Sequence, residues 1–175
     1  LDTTTNQDGS ANDALKFSSN NYPNVTKASS GTPAAHAYAE AGAYMMGTNT
    51  TNTVQASASG MRYSSADSKN DSGTNYLKPA SLLEDNAQCS GQGIYFLTDG
   101  NPNSTSYYSS TAVMRASLED KGSSFSRDGS LLSNFSGNGD DSWDCIYKYS
   151  QALLDPSKNP AGRMFKTAVV GFGSD

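Results

Sequence analysis

Soft metal ligands are nearly missing from this 175-residue chain, which has one His and two Cys. Zinc normally takes four nitrogen or sulfur ligands, so a zinc centre is excluded. Charge is also sparse. Only 17% of residues are Asp, Glu, Lys or Arg, against about 25% in an average soluble domain. The 12 Lys and Arg are spread thinly, so no basic cluster is available to neutralise several phosphates, and nucleic acid is excluded as a partner. No apolar run approaches the roughly 18–20 residues of a membrane-spanning helix, so no membrane span is expected. No basic segment followed by an apolar one opens the chain, which puts any signal peptide outside these residues. There is no Gly-x-Ser-x-Gly elbow, and the lone His36 sits in a helical stretch with no Asp or Ser partner at a telling spacing. An enzyme with a Ser or Asp nucleophile therefore lacks its base, and the chain is read as a non-enzyme.

In place of charged and apolar side chains, Ser, Thr, Asn and Gly predominate, with a net charge of −5. The length is that of one domain. The acidity favours solubility, or cation sites built from oxygen ligands. A polar, Tyr-rich, charge-poor composition suits an exported protein, where a disulfide persists. Cys89 and Cys145 are then read as a bridge, the alternative being two buried thiols. Closing a loop of that length stabilises by about 3–4 kcal/mol in the chain-entropy account.

Two continuous apolar segments, 94–98 and 167–173, predict parallel strands covered on both faces. The Ala-rich stretch 33–46 predicts a helix with Pro33 in its first turn and Gly47 past its end. A second helix is predicted over 143–154, with Trp143, Ile146, Tyr147, Ser150, Leu153 and Leu154 near one face and a stop at Asp155-Pro156. A shorter helix is predicted around 112–120. Long polar insertions are expected near 48–92 and 101–142; loops of that length are usually functional surface or disordered. Helices alternating with buried strands indicate an α/β fold, although two strands do not complete such a sheet.

Two places carry candidate chemistry. Asp99 follows the first strand in Thr98-Asp99-Gly100, at the strand end where α/β sheets bind ligands, and a carboxylate there suits a hard cation. As an ordinary residue it would belong to an Asp-Gly turn. Thr32, in Ser29-Ser30-Gly31-Thr32-Pro33, stands at a helix N-cap position and offers a hydroxyl as a second ligand.

Together, Gly-Thr-Pro-Ala-Ala-His-Ala-Tyr-Ala-Glu-Ala at 31–41 and Gly-Ile-Tyr-Phe-Leu-Thr-Asp-Gly-Asn-Pro-Asn at 93–103 resemble the von Willebrand factor A (vWA) family. The family's fold is a Rossmann-like parallel sheet flanked by helices. Its metal-ion-dependent adhesion site holds Mg²⁺ or Ca²⁺ through an Asp-x-Ser-x-Ser loop, a Thr at a helix start and an Asp after a central strand. Thr32 matches the second element and Asp99 the third. The closing Ala-Val-Val-Gly-Phe-Gly is similar to the next strand. A Ser/Asn-rich insertion, Cys89 ahead of the Thr-Asp-Gly strand and Trp143-Asp144-Cys145-Ile146 are similar to bacterial PilC/PilY-type proteins, which are type IV pilus tip-associated adhesin and biogenesis factors.

The resemblance implies an extracellular adhesion module at a bacterial surface or pilus tip. Its partners would be pilus subunits or a host-surface protein. The family's first motif is absent: Asp2, Thr4 and Asn6 alternate, but only Leu1 precedes them. The chain is accordingly read as one partial vWA-like domain over 1–175, with core elements near 31–47, 93–103, 143–155 and 167–173, lacking its N-terminal strands. The missing part of the same domain is then a further partner, and the metal site held by Thr32 and Asp99 is incomplete. The alternative is an intracellular vWA metal-chelatase or AAA-associated subunit, which the paired Cys and scarce charge disfavour.

Three further features are weaker. Asp140, Ser142 and Asp144 alternate as in a calcium loop but lack its Gly and distal Glu, so an acidic helix start is the better reading. Tyr107 and Tyr108, in a polar loop, are candidate partner contacts, because Tyr supplies contact area at low entropic cost. His36 is expected to be structural.

Overall fold

The computed structural model describes residues 33–51, 59–79, 91–98, 107–126 and 140–171. Along the chain these form α1 (Ala34–Met46), two short 3-10 turns (Met61–Tyr63 and Ala66–Ser68), β1 (Gln92–Thr98) and α2 (Tyr107–Ser117). A 3-10 turn over Glu119–Ser124, then α3 (Asp140–Leu154) and β2 (Phe165–Gly171), complete the order. The two strands lie side by side and parallel, in register from Gln92 against Phe165 to Thr98 against Gly171. The described residues are thus α/β, a two-stranded parallel sheet with helices packed on it.

Local sequence accounts for the element ends. Helix α1 starts one residue after Pro33, whose carbonyl accepts the Ala37 N–H at 3.0 Å. It stops at Gly47, which takes φ 72° and directs its N–H to the carbonyls of Ala43 and Tyr44. That left-handed conformation is the one glycine adopts without a Cβ penalty. Helix α3 ends before Asp155-Pro156. The buried Asn159 amide then donates to the carbonyls of Ala152, Leu153, Asp155 and Arg163 at 2.9–3.3 Å. One side chain so ties the end of α3 to the start of β2.

These contacts fix the directions of the helices. Because α3 ends where β2 begins, it runs antiparallel to the strands. Helix α2 runs alongside α3 in the same sense: Thr111 Oγ1 lies 3.7 Å from Cys145 Sγ, and further along Ser117 Oγ lies 2.6 Å from the Tyr149 hydroxyl. The carboxyl end of α1 meets the carboxyl end of α2 through Thr48 Oγ1, which donates to the Ser117 carbonyl at 2.7 Å. All three helices therefore point their amino ends toward the rim of the sheet where the strands finish.

The core lies between these helices and one face of the sheet. Ala35, Tyr38 and Ala39 of α1 meet Val113 and Met114 of α2, Cys145, Tyr149 and Leu153 of α3, and Phe165 of β2, all almost fully buried. Tyr38 spans the layers. Its ring sits edge-on to Phe96 at 6.0 Å and to Tyr149 at 5.2 Å, and its hydroxyl bonds Thr167 Oγ1. Burial pushes its phenol up to about 12, a rise that the Thr167 hydrogen bond only partly offsets.

Two expectations are corrected. Strand side chains alternate between faces, and among the described residues only the face with Ile94, Phe96, Phe165 and Thr167 meets the helices. On the other face Tyr95 is 67% and Leu97 58% exposed. The strands are apolar on both sides but covered on one. On α3, the buried residues are Ser142, Asp144, Cys145, Ile146, Tyr149, Ala152 and Leu153, whereas Tyr147 and Leu154 are exposed. Counting hydrophobic side chains set the stripe too far round the helix, because Ser142 and Cys145 take inward positions.

The approach of α1 to α3 is close. A Cβ placed on Gly42 would collide with the Tyr149 hydroxyl and lie 2.8 Å from two of its ring atoms. Replacing a helical Gly by Ala ordinarily stabilises by roughly 0.5–1 kcal/mol. Gly42→Ala is expected to destabilise instead, by about 1–3 kcal/mol as overpacking does. Urea denaturation of the variant beside the parent measures the sign.

Candidate functional site

The helix directions bring two described positions to the same rim. Thr98 is the last residue of β1, 8% exposed, and Pro33 immediately precedes α1. The chain neighbours that carry the candidate chemistry, Asp99 and Thr32, lie outside the described residues, as does Cys89. Among the described residues no group of three or more His, Cys, Asp or Glu side chains is arranged to hold a metal.

The same rim carries the first turns of α2 and α3. Tyr107 and Tyr108 open α2 rather than occupying a loop, with ring centroids 5.2 Å apart. Tyr108 is the more exposed of the two, at 75%. Helix α3 begins at Asp140. Asp144 is one turn further along and buried, and its Oδ1 has no hydrogen-bond partner. An N-terminal cap does not account for it. Cys145 is fully buried in α3 beside Thr111.

Comparison with protein-family models, curated proteins and solved structures gives no match to this chain. The site is therefore argued from its own residues.

Sequence reasoning missed a carboxylate that gathers donors from three separate positions. Glu40 of α1 accepts Thr50 Oγ1 at 2.7 Å and the Gly60 N–H at 3.0 Å on Oε2, and the Tyr76 hydroxyl on Oε1. Thr50 continues to Ser59 at 2.7 Å, and Tyr76 to Ser64 at 2.6 Å. Burial, and the carboxylate opposite, push the Tyr76 phenol well above its ordinary range. The three donors come from positions 10, 20 and 36 residues after Glu40, so no local spacing announces them. This network sits toward the carboxyl end of α1, away from the Pro33–Thr98 rim, and it holds residues 48–51 and 59–79 against the helix.

His36 lies in the first turn of α1 with Nε2 buried and without a hydrogen-bond partner, and desolvation lowers its pKa below the ordinary value. Among the described residues Nε2 meets no acceptor that would hold a proton there, which fits a structural role. The sign of its linkage follows. Below about pH 6.5 the unfolded chain takes up a proton that the folded imidazole resists, so stability falls as the solution is acidified. His36→Gln removes this contribution. Between pH 7.5 and 5.5 the parent is expected to lose more stability than the variant, measured by urea unfolding at each pH.

Proposed function

We propose that this chain is the carboxyl-side part of a vWA-like domain in an exported bacterial adhesin of the PilC/PilY type. It acts as a non-enzymatic binding module at a cell surface or pilus tip. The supporting observation is the shared rim: the residue before Asp99 and the residue after Thr32 stand where the strands of a parallel sheet finish, the usual ligand position in open α/β sheets. The uncovered sheet face with Tyr95 and Leu97 also supports it, because parallel sheets occur almost only with both faces covered. The rest of the domain supplies that cover.

In this reading Thr32 contributes a hydroxyl and Asp99 a carboxylate to a divalent cation, Mg²⁺ or Ca²⁺. Such an ion attracts a partner's carboxylate by leaving part of its coordination open. Two protein oxygens are too few, since Ca²⁺ takes six to eight oxygen ligands and Mg²⁺ an octahedron. The remaining ligands come from an Asp-x-Ser-x-Ser segment that this chain lacks, and from the partner. Tyr108, exposed on the same rim, offers that partner rigid contact area. The partner is a pilus subunit or a protein of a host surface.

Two measurements test the reading. Calorimetric titration of this chain with Mg²⁺ or Ca²⁺ is expected to show no binding tighter than the millimolar range. Tight binding by these residues alone overturns the partial site. A thiol assay in denaturant without reductant, which exposes the buried Cys145, is expected to find no reactive thiol, because Cys89 and Cys145 are joined in an exported protein. Two reactive thiols instead favour an intracellular vWA subunit.

A further inference from the structure

We propose that residues 59–79 form a clasp that opens from α1 as a unit of its own, and that the Glu40 carboxylate is the latch that holds it shut. Three features carry this. The first is where the segment's bonds to its surroundings go. Among the described residues these are the Gly60 N–H and the Tyr76 hydroxyl to Glu40, the Ser59 hydroxyl to Thr50, the Tyr76 N–H to the Thr48 carbonyl at 2.8 Å, the Asn49 amide to Asn75 Oδ1 at 3.1 Å, and the Asn75 amide to Glu119 at 3.3 Å. Glu40 receives two of these directly and, through Thr50, a third.

The second is that the segment is bonded within itself. Asn70 Oδ1 accepts the N–H groups of Thr74 and Asn75, the Leu77 N–H reaches the Ser68 carbonyl at 2.9 Å, and Lys69 bridges Tyr76. These bonds do not depend on α1. The third is the small apolar footing. Met61 and Tyr76 bury against Ala43 as a cluster separate from the main core, and Tyr44 adds an edge-on ring contact to Tyr76 at 5.6 Å. A self-bonded piece with little buried apolar area is what opens below the free energy of global unfolding.

The latch works through donors rather than an ion pair. The titratable groups that face Glu40 among the described residues are the Tyr76 hydroxyl from the clasp and the Tyr149 hydroxyl from α3, and the Arg62 guanidinium is stacked on the Tyr63 ring at 4.6 Å. An ionised acceptor makes hydrogen bonds roughly twice as strong as neutral ones. An amide of the same shape would present a donor to at least one of these donors. Opening uncovers the Ala43 and Tyr44 side of α1, an apolar strip toward the carboxyl end of that helix, away from the Pro33–Thr98 rim.

Hydrogen exchange read by mass spectrometry on the whole chain, parent beside Glu40→Gln, tests the proposal. The Gly60 and Tyr76 amides, whose bonds cross the boundary, are expected to lose protection at least about tenfold in the variant. The Met114 and Tyr149 amides of the core are expected to keep theirs. Unchanged protection at Gly60 and Tyr76, or an equal loss in the core, overturns it. If Glu40→Gln does not fold, the parent in increasing sub-denaturing urea gives the answer. Gly60 and Tyr76 are expected to exchange through an opening with a shallower urea dependence than Met114 and Tyr149, and a single common dependence overturns the clasp.

Discussion

The Tyr149 side chain is the point on which the helical layer depends. Its ring fills the space left by the missing side chain of Gly42, and its hydroxyl lies 2.6 Å from Ser117 Oγ and 3.5 Å from the Ala39 carbonyl. Elements from α1, α2 and α3 thus meet on one phenol. Burial raises that phenol far above its usual range, and it stays neutral at any physiological pH. A neutral, fully bonded hydroxyl is tolerated in a core, whereas an unbonded one costs its whole desolvation. Tyr38 repeats the device one layer down, turning the same cluster toward Phe96 and Thr167 of the sheet.

This use of polar aromatics follows from the composition. With 35% hydrophobic residues and ten Tyr, the chain has few aliphatic side chains for its interior, and its interior polar groups must find partners. Thr48, Ser117, Thr50 and Asn159 are buried and bonded. The orphaned atoms among the described residues are few: His36 Nε2, Ser110 Oγ, Asp144 Oδ1 and Asn159 Oδ1. Asn159 shows the limit of such accounting. Its amide nitrogen faces four carbonyls, so turning the side chain over would set its oxygen against them, and Oδ1 is left unbonded as the lesser cost.

The elements were legible where local chemistry decides them. Pro33 and Gly47 bracket α1, Asp155-Pro156 closes α3, and two β-branched or aromatic runs make the strands. Their parallel pairing follows from the intervening helices. Other features depend on distant partners and left no local mark. The inward face of α3 turns on Cys145 and Ser142, which pattern counting treats as neutral. The one-sided cover of the sheet turns on which layers are present, and a run such as Tyr95-Phe96-Leu97 reads the same in either case. Of the candidate site, the sequence named Asp99 and Thr32, which lie outside the described residues next to Thr98 and Pro33. It placed Tyr107 and Tyr108 in a loop because Ser-rich flanks mask a helix that packs through Ser110, Thr111 and Met114.

The two ends of the sheet are built from different materials. At the rim where the strands finish stand the amino ends of the helices, with Pro33, Thr98 and the exposed Tyr108, so the field favours anions and oxygen ligands. At the other end the polar segment after Gly47 folds back onto α1 and is fastened by donors to one carboxylate. Long polar insertions in an α/β domain invite the assumption that they line the ligand rim. Here the helix direction argues otherwise for 59–79, because that segment follows a helix whose carboxyl end points away from the rim. The Glu40 side is therefore a separate surface with its own chemistry.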